Sequence, residues 1–284
     1  MNYLLLVCLG LIWGSSYMFI RIAVQEVPAI TLVAARLILA STILWIALRI
    51  SGRPIPRDRK LWGAYAVMGF LSGALPYVLI AWGEQHIHSS LAALLQATMP
   101  IFTVILALFL ADDERLTRTA LLGVVLGFVG VAVLMLPDLR QGLRANLLGQ
   151  LTVVISSASY AGATVFARNR LRGQPPLTST MGQLTTGALF TLPLSLIIDR
   201  PFALSPSLPA IASWLALTVL GTVVAYVIYY VLIERNSATF VSTVTYIIPI
   251  VGLILGALVL DEPVTANLLV SSALIIVGVV LVRA

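Results

Sequence analysis

Charge is scarce in this sequence. Only 10% of the 284 residues are Asp, Glu, Lys or Arg, while 60% are hydrophobic and the mean hydropathy is +1.04. A water-soluble domain of this length needs much more polar surface to cover its core. The composition therefore excludes a soluble globular protein and predicts a chain that lies in a lipid bilayer.

Cysteine, lysine and histidine are also rare. Cys8 has no partner for a disulfide, and Lys60 lacks the glycines of a phosphate-binding loop, which excludes an ATP-driven pump on this chain. His86 and His88 lack the further ligands of a metal site, so we expect no metal and no cofactor. The arginines lie in short loops and form no continuous basic face, which excludes a nucleic-acid partner.

Acidic residues are missing from the middle of the apolar runs. All 11 lie in loops or near the ends of runs, so no mid-membrane carboxylate is present for proton or sodium coupling, and no paired groups are present for catalysis. The candidate exception for coupling is Glu84 with His86 and His88 at the outer mouth, where imidazoles titrate between about pH 5 and 8. The favoured interpretation of that group is a solvated loop.

Ten apolar runs dominate what the sequence does contain. Each is bounded by charge, Pro, Gly or Asn, and a helix of about 20 such residues crosses a bilayer. The first run lacks the basic start and cleavage site of a removable signal, so we expect it to stay as the first helix. The sequence predicts an all-α membrane protein with ten transmembrane helices at 3–20, 30–48, 61–82, 89–110, 118–136, 146–167, 177–198, 209–233, 238–260 and 265–282.

The two halves of the chain share one plan. The stretch Ser89–Thr117 aligns with Ser237–Thr265 through a matching proline, and similar correspondences link the other runs. We therefore predict a first five-helix repeat at 1–137 and a second at 145–284. Because five is an odd number of spans, the second repeat enters the membrane inverted, as in many secondary transporters.

The distribution of arginine and lysine predicts the orientation. With the N-terminus in the cytoplasm, the outer loops keep only Arg21, Arg140, Arg144 and Arg200, and most other basic residues lie inside. The positive-inside rule then places both termini in the cytoplasm. Arg36 falls within the second run, where we expect it to snorkel to the outer interface or to brace helix ends.

Several short motifs in both halves carry a resemblance to a known family. They are Trp13-Gly14-Ser15-Ser16, Pro28, Arg36, Ser89–Pro100, Glu114-Arg115-Leu116-Thr117 and Asp261-Glu262-Pro263. With these motifs the chain resembles the EamA-type drug/metabolite transporters. The resemblance implies ten helices, with spans 1 to 4 and 6 to 9 around a central cavity and spans 5 and 10 set apart. Members export amino acids, other metabolites or toxic compounds, and the branch that looks most similar is the YddG-like amino-acid exporters.

Polar and aromatic residues within the spans are the candidates for a substrate cavity. A buried amide without a partner costs about 2 to 7 kcal/mol, so such groups must face a cavity or bond to a neighbouring helix. Aromatic rings with polar tips suit amphipathic zwitterions, and prolines at matching positions weaken their helices. The candidates are Trp13, Ser16, Tyr77, Ala93, Gln96, Pro100, Tyr160, Tyr226, Ser242, Thr245, Tyr246 and Pro249.

These features predict a secondary transporter that exports amino acids or similar small metabolites, with broad selectivity, by alternating access. An alternative is efflux of drugs or larger metabolites such as nucleotide sugars, and a remoter one is a membrane-embedded enzyme. We expect no enzyme activity, a small-molecule substrate, a monomer, and a multi-pass location in the bacterial cytoplasmic (inner) membrane. The pairs Gly69/Gly73, Gly123/Gly127 and Gly252/Gly256 are expected to pack helices within that monomer.

Overall fold

A computed structural model of the protein describes residues 2–52, 55–110, 117–236, 240–241 and 243–283. Within these ranges every regular element is helical: ten long helical segments follow one another along the chain, with a short 3₁₀ turn at Pro201–Ala203 between the seventh and the eighth. We number them α1 (Asn2–Ala23), α2 (Ala29–Ile50), α3 (Arg59–Gly69, Phe70–Ala74 and Leu75–Gly83), α4 (Ser89–Gln96 and Met99–Leu110), α5 (Arg118–Gln141), α6 (Arg144–Arg170), α7 (Pro176–Leu194 and Ser195–Asp199), α8 (Leu208–Thr218, Val219–Val224 and Ala225–Arg235), α9 (Val244–Val259) and α10 (Ala266–Arg283).

The helices have the composition of membrane spans. Eight segments are long and apolar enough to cross a bilayer, and the described parts of α9 and α10 are shorter apolar helices. Large apolar side chains such as Leu121, Val125 and Phe128 on α5 lie on the surface, where lipid tails rather than water would cover them. The prediction of an all-α membrane protein with ten transmembrane helices is confirmed.

One helix end differs clearly from its predicted position. The helix α5 continues through Pro137 to Gln141, although the sequence predicted an end at 136. A proline removes only its own N–H donor, so the last turn can still form beyond it. The actual stop is Gly142, which adopts a left-handed φ of 68° and lets Leu143 N–H donate to the carbonyl of Asp138 at 2.9 Å.

The helix α4 is broken at Ala97 and Thr98. Their N–H groups donate to the carbonyls of Leu94 and Leu95, three residues back, which tightens the helix at this point. Pro100 has no N–H to donate to the carbonyl of Gln96, four residues back, so the regular α-helical pattern cannot continue through it. The break therefore follows from the proline, as the sequence predicted.

Two π-helical turns interrupt α3 and α8 near their centres. They span Phe70–Ala74 and Val219–Val224, which overlap in part when the two halves are aligned. A π turn holds one residue more than an α turn and is often found at functional sites. The sequence did not predict these turns.

Helix contacts follow a regular pattern. The helix α1 packs against α9 and α8, while α6 packs against α4 and α3. The helix α2 packs against α7, and α5 packs mainly against α10. Exchanging each helix of the first five with its counterpart in the second five maps this set of contacts onto itself. Such a pattern is what two halves related by a two-fold axis produce.

Glycines allow the closest of these contacts. A Cβ atom at Gly278 of α10 would lie 2.7 Å from the carbonyl oxygen of Gly123 and 2.7 Å from the N atom of Gly127, both on α5. The pair Gly69/Gly73 likewise faces α7. The pair Gly252/Gly256 faces α4 and the loop after α9. As expected, all three glycine pairs pack against helices of the same chain.

We expect Gly278→Leu to lower the free energy of unfolding by about 3 kcal/mol, because overpacking costs about 1 to 3 kcal/mol even where side chains can yield. Here backbone atoms of α5 would have to move. The measurement is thermal unfolding in detergent followed by circular dichroism. The matched control is Gly63→Leu, at an exposed helical glycine with no atom within 4 Å of its would-be Cβ. Equal unfolding temperatures for the two variants would contradict the packing argument.

Candidate substrate site

Arg36 lies inside the protein, about 10 Å along α2 from its first residue. Its side chain is only 7% exposed. The Nε atom donates to Thr222 Oγ1 at 2.9 Å, and the guanidinium carbon lies 4.3 Å from the centre of the Tyr77 ring. The expectation that Arg36 snorkels to the interface is therefore wrong, because α3 and α8 cover this face of α2 and hold the guanidinium between them.

Aromatic rings from four helices lie close to one another, and one of them, Tyr77, contacts Arg36. Tyr77 and Tyr160 have ring centres 6.4 Å apart, and Trp13 lies 6.4 Å from Tyr226 and 5.6 Å from Tyr229. Tyr160 also lies close enough to Tyr226 and to the Arg36 charge to interact with them electrostatically. The predicted residues Trp13, Tyr77, Tyr160 and Tyr226 are thus brought together. We call these four rings with Arg36 the central cluster.

Hydroxyl and amide groups extend the central cluster. Gln183 of α7 donates through Nε2 to the Tyr226 hydroxyl at 3.5 Å and accepts from Ser72 Oγ at 3.3 Å. Ser16 is buried beside Gly221 in the π turn of α8, with its hydroxyl bonded to the Ile12 carbonyl.

Three polar members of this region were not predicted. Ser72 and Thr222 lie within the two π turns, and Gln183 occupies the position in the second half that corresponds to Arg36. The signal that could have found them is a polar residue at matching depth in both halves.

Gln96 has the partner that a buried amide requires. Its Oε1 accepts from Ser156 Oγ of α6 at 2.8 Å, and the side chain stays partly exposed. Tyr246 and Thr245 of α9 are partly buried as well. Ser242 lies outside the described residues.

Besides Ser16 and Tyr77, three further predicted cavity residues are buried, all on α4 and α9. Ala93 has no exposed surface and contacts Gly252 of α9 directly. Pro100 and Pro249 are also buried. The small residues Ala93 and Gly252 let α4 and α9 approach closely, so this face holds the two helices together in the present conformation.

Cysteine scanning should separate these two groups of residues. In a background without Cys8, Gln96→Cys and Tyr246→Cys should react with a membrane-impermeant thiol reagent, because these positions are partly exposed near the centre of the protein. Ala93→Cys should stay unreactive because it is buried, and Leu258→Cys because its 77% exposed side chain faces lipid. Uniform inertness would rule out water at Gln96.

Hydrogen bonds between loops close one end of the molecule, the end opposite Asn2, which we call the distal end. The Glu26 carboxylate accepts from Ser207 N–H at 2.6 Å and from its hydroxyl at 2.5 Å. Thr31 donates to Asp199 Oδ2 through N–H at 2.9 Å and Oγ1 at 2.8 Å. The loop after α1 is thereby tied to the loop after α7.

Glu262 joins the loop after α9 to the start of α4. Its two oxygens accept from the backbone N–H of Ser89 at 2.7 Å and of Ser90 at 3.0 Å, at the helix end where negative charge is favoured. Burial acts to raise the pKa of the Glu262 carboxyl, but the hydrogen bonds from Ser90 and Ser89 outweigh it and hold that pKa below its usual range. Glu262 therefore stays charged and caps α4.

Glu84 is fully buried at the same end, and the interpretation as a solvated loop is wrong. Neither carboxyl oxygen has a hydrogen-bond partner among the described residues. Burial raises the pKa of the Glu84 carboxyl well above its usual range, and the Glu262 charge raises it further, while the Arg21 charge opposes both. Arg21 donates to the backbone carbonyl of Glu84. The sequence context of Glu84 did not indicate this burial or the raised pKa.

No hydrogen bond or ion pair in the described part of the chain joins either histidine to the Glu84 carboxyl. His86 stacks on Trp82, with ring centres 4.3 Å apart, and its Nδ1 lies 3.0 Å from the Trp82 carbonyl. His88 is half exposed, with Nδ1 3.8 Å from Glu262 Oε1. The predicted group Glu84, His86 and His88 is therefore divided into three separate environments.

Ten apolar helices, five of which supply the central cluster of one cation and four aromatic rings, define a multi-pass membrane protein with a polar centre. The profile of the EamA-like transporter family matches residues 1–136 and 147–284. The chain belongs to this family, and the protein is a membrane transporter.

Relatives match over nearly the whole chain. An uncharacterized transporter of Archaeoglobus fulgidus is 27% identical, covering 95% of this chain and 94% of its own. The uncharacterized inner membrane transporter YedA of Escherichia coli is 26% identical, and the match covers 98% of this chain and 89% of YedA. A probable terminal-alkyne amino-acid exporter of Streptantibioticus cattleyicolor is 30% identical, covering 95% and 89%. A solved structure described as "Crystal structure of protein" superposes with a TM-score of 0.69 at 17% identity, covering 99% and 95%, which supports the fold alone.

Proposed function

We propose that this transporter exports amino acids or similar small metabolites by alternating access. The observation that carries the proposal is the central cluster, which gathers Trp13, Tyr77, Tyr160 and Tyr226 from α1, α3, α6 and α8. Aromatic faces accept apolar side chains of many shapes, while their polar tips hydrogen-bond to a charged backbone. A similar role in a relative, the probable terminal-alkyne amino-acid exporter, supports the amino-acid class.

We further propose that residues 1–137 and 145–284 form two inverted repeats that move against each other around this cluster. The symmetrical helix contacts and the π turns at partly overlapping positions support the repeat. Each repeat supplies two of the four rings, so a relative movement of the repeats changes the site itself. This is the arrangement that alternating access requires.

The proposed location is the cytoplasmic membrane, with both termini in the cytoplasm. The excess of arginine in the loops next to the termini supports this orientation. The distal end then faces outward, and its loop-to-loop hydrogen bonds close the site from the outside in this conformation.

The test is flux from liposomes that contain the purified protein and a set of labelled amino acids. We expect wild-type flux, a loss of about tenfold or more in Tyr160→Ala, and retention in Tyr3→Ala, whose ring is 76% exposed far from the cluster. Transport of nucleotide sugars or drugs in place of amino acids would support the alternative substrates. Chemistry on a lipid without flux would contradict a transporter.

The same liposomes test energy coupling. Among the described residues, Arg36 is the one charged residue more than a turn from a helix end, so no carboxylate lies at mid-membrane. We expect counterflow to persist at equal pH with a protonophore present, driven by the substrate gradient. Collapse of this flux in wild type, reproduced by Glu84→Gln, would identify the distal carboxyl as a coupling site instead.

A further inference from the structure

Arg36 is a buried cation without a carboxylate partner. Its one hydrogen bond to a described residue is the Nε bond to Thr222, and no described acidic side chain lies within ion-pair distance. A buried charge is costly unless it is paired, and a charged residue inside a membrane span commonly marks a substrate pathway. The N–H donors on the two Nη atoms have no partner among the described residues, so they are available to bind a ligand.

The surroundings of Arg36 favour an anion of one charge. The Tyr77 ring covers one face of the guanidinium, and Thr222 fixes its Nε edge, which leaves the remaining N–H groups for a ligand. A guanidinium presents paired donors that match the two oxygens of a carboxylate. Arg36 is the one charged residue of the cluster among the residues that the structure describes, so a diphosphate would retain uncompensated negative charge.

We propose that Arg36 binds the carboxylate of the transported substrate and so selects carboxylate-bearing metabolites over amides and amines. This inference rests on the proposed function and names the group that the site recognises. Thr222 and Tyr77 are positioning residues, because they orient the guanidinium. The rings of Tyr160 and Trp13 then receive the rest of the substrate.

The first experiment compares labelled leucine and phenylalanine with their carboxamides and decarboxylated amines in the liposome assay. Wild type should transport the acids at least about tenfold faster than the amides, because the amide cannot form the charged pair. Arg36→Gln should abolish this preference. Arg36→Lys should restore part of it, because the ammonium keeps the charge but loses the planar fork of donors.

A purely structural role for Arg36 predicts different results. If the residue only ties α2 to Thr222, Arg36→Lys and Arg36→Gln should both lose the same hydrogen bond and behave alike. On the present proposal, Arg36→Gln should unfold at the wild-type temperature or higher, since an unpaired buried charge has been removed. Should Arg36→Gln fail to fold, the acid-to-amide ratio of wild type and of Arg36→Lys still tests the proposal.

Failure of this inference is distinguishable from failure of the proposed function. Equal transport of acids and amides by wild type would overturn the carboxylate role and leave amino-acid transport intact. If neither acids nor amides are transported, the proposed substrate class fails. The carboxylate site at Arg36 is then tested by whether leucine or phenylacetate raises the unfolding temperature of the protein. Stabilisation by these carboxylates would support the site if the amides and chloride do not produce it and if Arg36→Gln abolishes it. Stabilisation that is absent, or equal with chloride, would overturn it.

Discussion

Glu262→Ala is expected to lower the free energy of unfolding by at least about 3 kcal/mol, because each hydrogen bond to a charged group contributes about 1.5 to 3 kcal/mol. The carboxylate is 7% exposed and is the acceptor for the N–H groups of Ser89 and Ser90. Without it, the first turn of α4 loses its cap inside the protein. Thermal and denaturant unfolding in detergent at neutral pH would measure the loss.

Two further variants sharpen this test. Glu262→Gln should lose about half as much, since one amide oxygen can still accept while the amide nitrogen cannot. Asp261→Asn is the matched control, because Asp261 is exposed with a left-handed φ of 52° that asparagine also adopts. Because the pKa of Glu262 is lowered, its stabilising effect should be complete above the unfolded pKa and fade as pH falls through the folded one. A loss in Asp261→Asn as large as in Glu262→Ala would contradict the capping role.

Glu84→Gln should make the protein more stable above neutral pH, which is the opposite of the Glu262 result. Burial raises the pKa of Glu84, so the wild type must either keep a proton or bury a charge without a hydrogen-bond partner. The free energy of unfolding of the wild type should fall as pH rises from the unfolded pKa of about 4.3 to the folded pKa. The total fall should be about 1.4 kcal/mol for each pH unit between these two pKa values. Glu84→Gln keeps the shape and removes this slope.

The pH dependence of unfolding, measured in detergent from pH 5 to 9, tests this expectation. The groups that act on Glu84 are the Glu262 and Arg21 charges, and neither is changed by the substitution. Glu26→Gln is the control, because a hydrogen bond from the Ser207 side chain lowers the pKa of exposed Glu26, and such a group changes the pH dependence only below its unfolded pKa of about 4.3. A stability curve for Glu84→Gln that follows wild type at every pH would show that Glu84 is not held protonated.

The number and order of the helices could be predicted because each span is a long apolar run bounded by polar residues, a signal that needs no tertiary information. Helix ends were less predictable. At α5 the sequence offered two stop signals, Pro137 and Gly142, and the glycine ended the helix because it alone reaches the left-handed conformation at no cost.

The environment of single residues could not be predicted in the same way. The position of Arg36 along α2 fits both snorkelling and burial, and the difference depends on Thr222, 186 positions away. Glu84 stands beside polar residues, as in a solvated loop. It is buried because Gly83 lets the chain approach α6 so closely that a Cβ atom there would lie 2.9 Å from the Gly149 carbonyl oxygen.

The π turns divide each of the helices α3 and α8 into two α-helical parts, which we call levers. The parts beyond the turns toward the end that carries Asn2 are Arg59–Gly69 and Ala225–Arg235, both of 11 residues and so about 16 Å long. Rotation of either lever by about 10° at its π turn would displace its tip by about 3 Å, while the distal end stays fixed by its hydrogen bonds. A slight change of angle at mid-membrane would thus open a gap wide enough for water at one face, with every helix still folded.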